Sequence, residues 1–270
     1  MDRARRRKFG QNFLDDAMAR LIAEDLKANN ETPILEIGPG HGAMTVHLLK
    51  IGAPLTAIEI DEQCVEILKK KFENNPLFEI ENIDFLKFDL DSWLLSHSTP
   101  WITGNLPYNV STGIISNILP KIHKTLGFMG MVQLEVAERL CATPGNSAYG
   151  SLSVYLSSFA NAKILRKIGP EHFTPKPNVD SATVLITPKE NPLNAPKEFF
   201  DFVRQSFAQK RKRLANSLSK NYSKAEIFSA LDSLSLSENT RAEELSPEIF
   251  FKLFFFFLIQ IQYFFYFNFL

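Results

Sequence analysis

A glycine-rich segment between a short apolar run and a helix-like stretch places the strongest constraint on how this chain folds. Residues 33–37 form the apolar run, Gly38-Pro39-Gly40-His41-Gly42 follows at once, and residues 43–49 have helical character. Glycines in such a turn let the backbone approach a ligand closely. The spacing is not that of the dinucleotide-binding fingerprint, because Pro39 occupies the middle. The segment therefore predicts a strand, a nucleotide-type loop and a helix.

The same alternation continues along the chain and predicts the fold class. Helices are predicted at residues 62–72 and 112–119, and strands at 55–60, 77–83, 101–103, 128–134, 152–159 and 182–186. Strands that alternate with helices indicate an α/β fold with a parallel, doubly wound sheet. A segment rich in Pro and Asn at 188–196 is the best linker candidate, and the pattern beyond it is helical. We expect an α/β domain over 1–188, a helical domain over 197–253 and an atypical tail over 254–270.

The charge distribution distinguishes two segments of a chain whose formal net charge is zero. That balance argues against a strongly basic nucleic-acid-binding protein. Basic residues nevertheless cluster at the start of the chain and again near residue 210, and the members we select are Arg5, Arg6, Arg7, Lys210, Arg211, Lys212 and Arg213. The two clusters can form a footprint for nucleic-acid phosphates. Ordinary solvated surface charge is the alternative for either cluster alone.

Cysteine usage and the termini bear on metal binding and compartment. Cys64 and Cys141 lack a metal-ligand spacing, so no metal is predicted, and they fit reduced thiols in the cytoplasm. The N-terminus has no apolar stretch typical of a secretory signal. The Phe-rich stretch 250–270 has Lys252 as its only charge. Because Gln and Asn interrupt it and no basic flank follows, we expect an atypical tail and no membrane anchor.

Two carboxylates follow the next predicted strands and suggest what the glycine loop binds. Glu59 ends the second strand, where it can accept hydrogen bonds from ribose hydroxyls. Asp84 follows the third strand and can accept from an adenine amino group. Each residue alone has an ordinary reading as a cap or a surface charge. Together with the loop they fit an adenosine that lacks phosphates, and S-adenosylmethionine meets that description.

The tetrapeptide Asn105-Leu106-Pro107-Tyr108 follows the fourth predicted strand and can hold a planar amine. The side-chain oxygen of Asn105 and the carbonyl of Leu106 can accept hydrogen bonds from an exocyclic amino group. Pro107 restricts the backbone, and Tyr108 offers a face on which a base can stack. Such a site suits methyl transfer to the amino group of an adenine. A plain turn is the alternative reading of the four residues alone.

These motifs and several others occur in an order that resembles a known family. They include Gln11-Asn12-Phe13-Leu14, Glu36-Ile37-Gly38-Pro39-Gly40, Glu59-Ile60-Asp61, Asp84, Asn105-Leu106-Pro107-Tyr108, Phe173-Thr174-Pro175-Lys176-Pro177, Val179-Asp180-Ser181 and residues 209–216. The chain resembles the rRNA adenine N6,N6-dimethyltransferases of the KsgA type. The resemblance implies a Rossmann-like class I methyltransferase domain that uses S-adenosylmethionine, followed by a small all-helical domain. It also implies dimethylation of two adjacent adenines near the 3′ end of small-subunit (16S) rRNA.

The resemblance also assigns roles to individual residues. The cofactor pocket would include Gln11, Asn12 and Leu14, with Gly38 and Gly40 facing the methionine part, Glu59 the ribose, Asp84 the adenine and Asn105 the transferred methyl. Tyr108 and Phe173 would sandwich the target base. The two basic clusters would contact the backbone of rRNA in a pre-30S-like particle. We expect the protein to act as a monomer.

Four alternatives stay open at the level of sequence. A large-subunit rRNA methyltransferase of the macrolide-resistance type is disfavoured by Leu106 and by the Pro-rich loop after Phe173. A DNA adenine methylase usually has an acidic residue and two prolines before the aromatic residue. A non-catalytic assembly or transcription factor is disfavoured by the intact cofactor motifs. A small-molecule N-methyltransferase is disfavoured by the basic helical domain.

Overall fold

A computed structural model describes residues 12–209 and 212–268, with side chains through residue 258. Contacts within the chain divide it into two compact units. Unit 1 contains the chain up to Glu138 together with Phe159–Glu190, and unit 2 contains Arg139–Ser158 and the chain from Asn191 onward. The division differs from the sequence-based boundary in placing residues 139–158 with the helical unit.

The elements of unit 1 alternate between strands and helices, as the sequence predicts. In chain order they are β1 (Phe13–Leu14), α1 (Asp16–Asp25), β2 (Ile34–Ile37), α2 (Ala43–Leu49), β3 (Leu55–Glu59), α3 (Glu62–Lys71), β4 (Phe78–Asn82), α4 (Leu90–Ser96), β5 (Trp101–Asn105), α5 (Ser111–Ile118), β6 (Gly127–Gln133) and α6 (Leu134–Cys141). Helix α7 (Ser151–Phe159), which belongs to unit 2 except for its last residue, leads back into unit 1 at β7 (Ala160–Ile168), β8 (Phe173–Thr174) and β9 (Ser181–Pro188).

The central sheet of unit 1 has seven strands in the order β4-β3-β2-β5-β6-β9-β7. Strands β2 to β6 pair in parallel, and β9 is antiparallel to both β6 and β7. All residues of β2 and β3 are buried, as expected for parallel strands covered on both faces. The predicted α/β, Rossmann-like fold is confirmed. Strands β1 and β8 form a separate antiparallel pair that the sequence did not predict.

One strand prediction is wrong: residues 152–159 form helix α7. The alternation of Leu152, Val154 and Leu156 with polar residues imitates a half-buried strand. In the structure, serine hydroxyls in this segment bond back to main-chain carbonyls, as Ser158 Oγ does to the Val154 oxygen at 2.8 Å. These hydrogen bonds satisfy the buried hydroxyls within a helix. Tertiary packing therefore overrides the alternation of apolar and polar residues.

Unit 2 is helical, as predicted for the region beyond the linker. Its further helices are α8 (Lys197–Ser206), α9 (Leu214–Leu218), α10 (Lys224–Ser233) and α11 (Pro247–Asn268). Residues 139–158 share its core, because Tyr149 is buried there and its hydroxyl donates to the Leu245 carbonyl at 2.9 Å. Such contacts with the helical core place residues 139–158 in unit 2.

The Phe-rich end contributes to the same core beyond the expected boundary at residue 253. Phe254 is 6% exposed and Phe257 is 2% exposed, and both lie against Phe202 with ring centroids 6.0 and 5.8 Å away. The ring of Phe257 also stacks on Tyr222. Residues 254 and 257 thus belong to the apolar core of the helical unit and to the helix α11 that continues past them. In the part of the chain that the structure describes, no helix combines the length and apolarity needed to cross a membrane.

Gly104 in β5 allows a close approach to β2 and generates a prediction. A Cβ atom there would lie 2.3 Å from the main-chain oxygen of Ile37, which cannot move without disturbing the sheet. We expect Gly104→Ala to lower the free energy of unfolding by about 3 kcal/mol, measured by urea denaturation. Gly150→Ala is the matched control, because nothing lies within 4 Å of a Cβ at that position. Equal stability of the two variants would contradict the close-approach argument.

Candidate active site

A cavity of about 550 Å³ lies at the carboxyl ends of the parallel strands of unit 1. Its walls come from the turn after β2, the ends of β3 and β5, the segment after β4 and residues 12–14. The volume suits a small organic ligand or cofactor. The strand order reverses between β2 and β5, and ligands of open α/β sheets bind at such a reversal.

The glycine loop closes the cavity beside β2 in a conformation that only glycine adopts readily. Gly38, Gly40 and Gly42 have φ angles of +67°, +57° and +81°. The backbone at Gly40 lies close to another wall, since a Cβ there would approach the Phe13 ring within 3.1 Å. The Phe13 ring in turn stacks on His41 with centroids 4.1 Å apart. The loop and the segment before α1 therefore meet through main chain and aromatic rings.

Glu59 joins the end of β3 to the glycine loop. Its carboxylate accepts hydrogen bonds from the Gly40 N–H at 3.0 Å and from the Asp61 N–H at 2.9 Å. The side chain is only 4% exposed, and this burial raises the pKa of the carboxyl group, while the two main-chain donors oppose the shift. Each carboxylate oxygen has a further lone pair that a ribose hydroxyl could use.

Glu36 is a second buried carboxyl group beside the first. It lies one residue before the end of β2, in the cavity wall, and its Oε2 accepts from Thr45 Oγ1 at 2.7 Å. Burial raises the pKa of Glu36 to about 7, the Thr45 hydroxyl opposes that shift, and the nearby Glu59 charge adds to it. Two acids share one low-dielectric region, so their ionisation carries a cost.

Asp84 lies on the far side of the cavity, after β4. Its Oδ1 accepts from the Leu86 N–H at 3.0 Å and so caps the 3₁₀ turn Phe85–Lys87. The side chain is half-buried and lines the cavity. Since a carboxylate offers about four acceptor positions, capping leaves capacity for an adenine amino group. The ordinary reading as a cap and the predicted role are therefore compatible.

Asn105 lies at the end of β5 with its amide orientation fixed. Its Nδ2 donates to the main-chain oxygen of Asn12 at 3.0 Å. That bond occupies the amide nitrogen and not the Oδ1 acceptor, which is the atom that an incoming amine needs. The next residue, Leu106, donates its N–H to the Met131 carbonyl at 3.1 Å, and both residues line the cavity.

Tyr108 completes the tetrapeptide and is held at its hydroxyl. The hydroxyl shares a hydrogen bond of 2.5 Å with Ser181 Oγ, at the start of β9. The ring is half-buried, and burial raises the pKa of its phenol above the ordinary value, although the bond to Ser181 opposes the shift. Tyr108 lines the cavity, as the predicted stacking role requires.

Phe173 does not line this cavity. It is 2% exposed, and in β8 it pairs with Leu14 of β1 and contributes to the core of unit 1. A side chain that is buried by this pairing can contact a base only if β8 moves. The stacking role of Phe173 stays a prediction.

The remaining predicted residues divide into those that the structure describes and those that it does not. Asn12, Leu14, Gly38 and Gly40 line the cavity. Lys212 and Arg213 are exposed residues of unit 2. Outside the described residues lie Arg5, Arg6, Arg7, Gln11, Lys210 and Arg211. Among residues 12–209 and 212–268, no group of three or more His, Cys, Asp or Glu side chains is arranged to hold a metal ion.

Three residues of the site lay within recognised motifs but received no role from sequence reasoning. Phe13 and His41 form the stack beside the glycine loop, and Ser181 bonds the tyrosine. Each stood in a quoted motif, so a signal existed. The partner of each is distant in sequence, and local patterns do not reveal such pairs.

The seven-stranded sheet and this carboxylate-lined cavity fit the class of methyltransferases that use S-adenosylmethionine. The donor set fits that cofactor, since carboxylates face the cavity and glycine main chain forms one wall. A sequence profile of the ribosomal RNA adenine dimethylase family matches residues 2–258. The chain belongs to this family.

Individual relatives agree with this assignment. Ribosomal RNA small subunit methyltransferase A of Hahella chejuensis is 38% identical over 90% of this chain and 89% of its own length. The protein of the same name from Pseudomonas aeruginosa is 39% identical over 92% of each. Among solved structures, the 23S rRNA methyltransferase ErmE is similar with a TM-score of 0.68 and 25% identity over 91% of this chain and 99% of its own. A dimethyladenosine transferase from Plasmodium falciparum shares the fold, with a TM-score of 0.77 and 24% identity over 90% and 96%.

The buried Glu36 carboxyl predicts an unusual dependence of stability on pH. Its folded pKa of about 7 exceeds the ordinary 4.5, so the folded state holds the proton more tightly. The resulting stabilisation is complete below pH 4.5 and is lost as pH rises to about 7. Replacing the carboxyl by an amide removes this loss. We therefore expect the difference in the free energy of unfolding, Glu36→Gln minus the unmodified chain, to increase by about 3 kcal/mol as pH rises from 4.5 to about 7.

Urea denaturation at a series of pH values, without cofactor, measures this difference. Glu79→Gln is the matched control, because Glu79 is an exposed carboxylate on β4 of the same unit. A constant difference between Glu36→Gln and the original chain at all pH values would contradict the prediction.

Proposed function

We propose that this protein transfers methyl groups from S-adenosylmethionine to the N6 amino groups of two adjacent adenines near the 3′ end of small-subunit rRNA. The product is N6,N6-dimethyladenosine, formed during ribosome biogenesis. The observation that carries the proposal is that Asn105, with its amide fixed by Asn12, lines the same cavity as Glu59 and Asp84. Acceptors for an amine and groups for an adenosine cofactor thus share one chamber. The names of the curated relatives support the choice of the small subunit.

The chain's own residues contribute to catalysis through positioning. Bound in the cavity, S-adenosylmethionine would supply an electrophilic methyl group on its sulfonium. The adenine amino nitrogen is a poor nucleophile because its lone pair is delocalised into the ring. Hydrogen bonds accepted by Asn105 Oδ1 and the Leu106 carbonyl favour a pyramidal nitrogen and aim its lone pair. A strong base is not required before attack, since the resulting ammonium is acidic and loses its proton to water.

Dimethylation places a further demand on the site. The monomethylated amine has one N–H donor where the original amine had two. One of the two acceptors must therefore be dispensable in the second transfer, and the Tyr108 face then retains the base by stacking.

RNA binding is the proposed role of the basic residues. Lys212 and Arg213 are exposed just before α9, and Arg213 forms an isolated bridge with Arg241. Together with Arg5, Arg6, Arg7, Lys210 and Arg211 they would contact rRNA phosphates. We further propose that the target base reaches the cavity unstacked, that the substrate is an assembling small-subunit particle in the cytoplasm, and that the protein acts as a monomer.

Methylation of large-subunit rRNA is the second candidate. The similarity to the 23S rRNA methyltransferase ErmE extends over 91% of this chain at 25% identity. Relatives named for the small subunit are 38–39% identical over a comparable share, which favours the first candidate.

Labelled S-adenosylmethionine, incubated with small and large subunits that lack these methyl groups, tests the proposal together with one variant. We expect dimethyladenosine at two adjacent positions of small-subunit rRNA.

Asn105→Ala should lower the turnover number about a hundredfold, with a far smaller change in cofactor affinity, because it removes an acceptor for the amine. Asn161→Ala alters an exposed amide on β7 and is the control. Label in large-subunit rRNA supports the second candidate, and equal losses of turnover and cofactor affinity contradict the role of Asn105.

The salt dependence of RNA binding tests the two basic residues that precede α9. Simultaneous Lys212→Glu and Arg213→Glu should weaken binding to the rRNA and lower the slope of log affinity against log salt by about 1 for each lost phosphate contact. Filter binding at several salt concentrations measures both quantities. Lys70→Glu makes the same type of charge change on α3 and is the control. An unchanged slope would assign Lys212 and Arg213 to structure.

A further inference from the structure

Two buried serines hold Tyr108, one at its hydroxyl and one at its main chain. The hydroxyl shares the 2.5 Å hydrogen bond with Ser181 Oγ, and the Tyr108 carbonyl accepts from Ser111 Oγ at 3.2 Å. Both serines are fully buried, whereas the tyrosine ring is half-buried in the cavity wall. The phenol is protonated at neutral pH even at its ordinary pKa, and burial raises that pKa further, so the hydroxyl is available for its bond to Ser181.

Ser181 occupies one of the most constrained positions near the cavity. It is the first residue of β9, and in the sheet it pairs with Gln133 of β6 on one side and with Ile168 of β7 on the other. Its main chain is therefore fixed in the sheet and its side chain is fully buried, although the residues just before it form an exposed loop. Tyr108 itself lies in the turn between β5 and α5, where the backbone alone leaves the tilt of the ring free to vary.

The chemistry of two successive transfers gives this anchor a specific consequence. The unmethylated amine can donate to both Asn105 and the Leu106 carbonyl, but the monomethylated amine retains a single N–H. In the second transfer a new N–C bond forms while the S–C bond breaks with its electron pair left on sulfur, and the remaining proton passes to water. With one hydrogen bond fewer, alignment of the nitrogen depends more on the face against which the base stacks.

We infer that Ser181 is a positioning residue that fixes the Tyr108 ring for the second methyl transfer to each adenine. The inference rests on the proposed function, because it requires a substrate amine that is methylated twice. It gives a residue outside the tetrapeptide control over the ratio of monomethylated to dimethylated product. A residue that only stabilised the fold would slow both transfers to the same extent.

Single-turnover methylation of small subunits with Ser181→Ala, Tyr108→Phe and the double variant tests the inference. Tyr108→Phe deletes the same hydrogen bond and keeps the ring, so it provides the test even if Ser181→Ala fails to fold. We expect the second transfer to slow about fivefold more than the first in each single variant, with accumulation of N6-monomethyladenosine. The double variant should resemble either single variant, and affinity for S-adenosylmethionine should not change.

Ser158→Ala is the control, because it removes another fully buried serine hydroxyl, in unit 2 and outside the cavity. Its product ratio should equal that of the original protein. Equal slowing of both transfers, or additive effects in the double variant, would overturn the role of Ser181. The unmodified protein separately tests the proposed function. If it forms dimethyladenosine and the variants keep its product ratio, only the role of Ser181 fails. If the unmodified protein forms no dimethyladenosine, both the proposed function and the role of Ser181 are overturned.

Discussion

The reversal of strand order between β2 and β5 is the constraint on which the rest of unit 1 depends. Chain segments that leave these neighbouring strands turn in opposite directions, and the gap between them becomes the cavity. The glycine loop leaves β2 here and Asn105 ends β5 here. Gly104 brings the two strands together just below this point. The proposed methyl-donor pocket and the proposed amine acceptors are therefore adjacent because of the order of strands in the sheet.

The two buried acids show how this site is maintained at a cost to stability. Glu36 and Glu59 lie in the cavity wall, and burial disfavours the charged form of both. Hydrogen bonds from Thr45, Gly40 and Asp61 offset part of that cost. Apolar side chains would avoid it, but they could not accept hydrogen bonds from a bound cofactor. Unit 1 thus keeps two buried carboxyl groups in the wall of the cavity that we propose binds the cofactor.

Sequence reasoning identified the local parts of this architecture and missed the distant pairs. Strands β2 to β6 and the site residues Glu59, Asp84 and Asn105 follow from runs and motifs a few residues long. The sequence predicts a strand at residues 152–159 because Leu152, Val154 and Leu156 alternate with polar residues, although serine hydroxyls in this segment bond to helix carbonyls. The β1–β8 pair, which buries Phe173, and the bonds Asn105–Asn12 and Tyr108–Ser181 join segments far apart. A periodic pattern carries no information about such partners.

The pairing of β1 with β8 has a consequence for the order in which the protein can assemble during translation. His172, which bonds Asp15, is synthesised 157 positions after it. Loop closure over such a distance is slow compared with the formation of local helices. In a nascent chain, the glycine loop and residues 105–108 are therefore present long before β1 can pair with β8. The cavity wall at residues 13 and 14 can therefore form its pairing with β8 only after residues 173 and 174 have been synthesised.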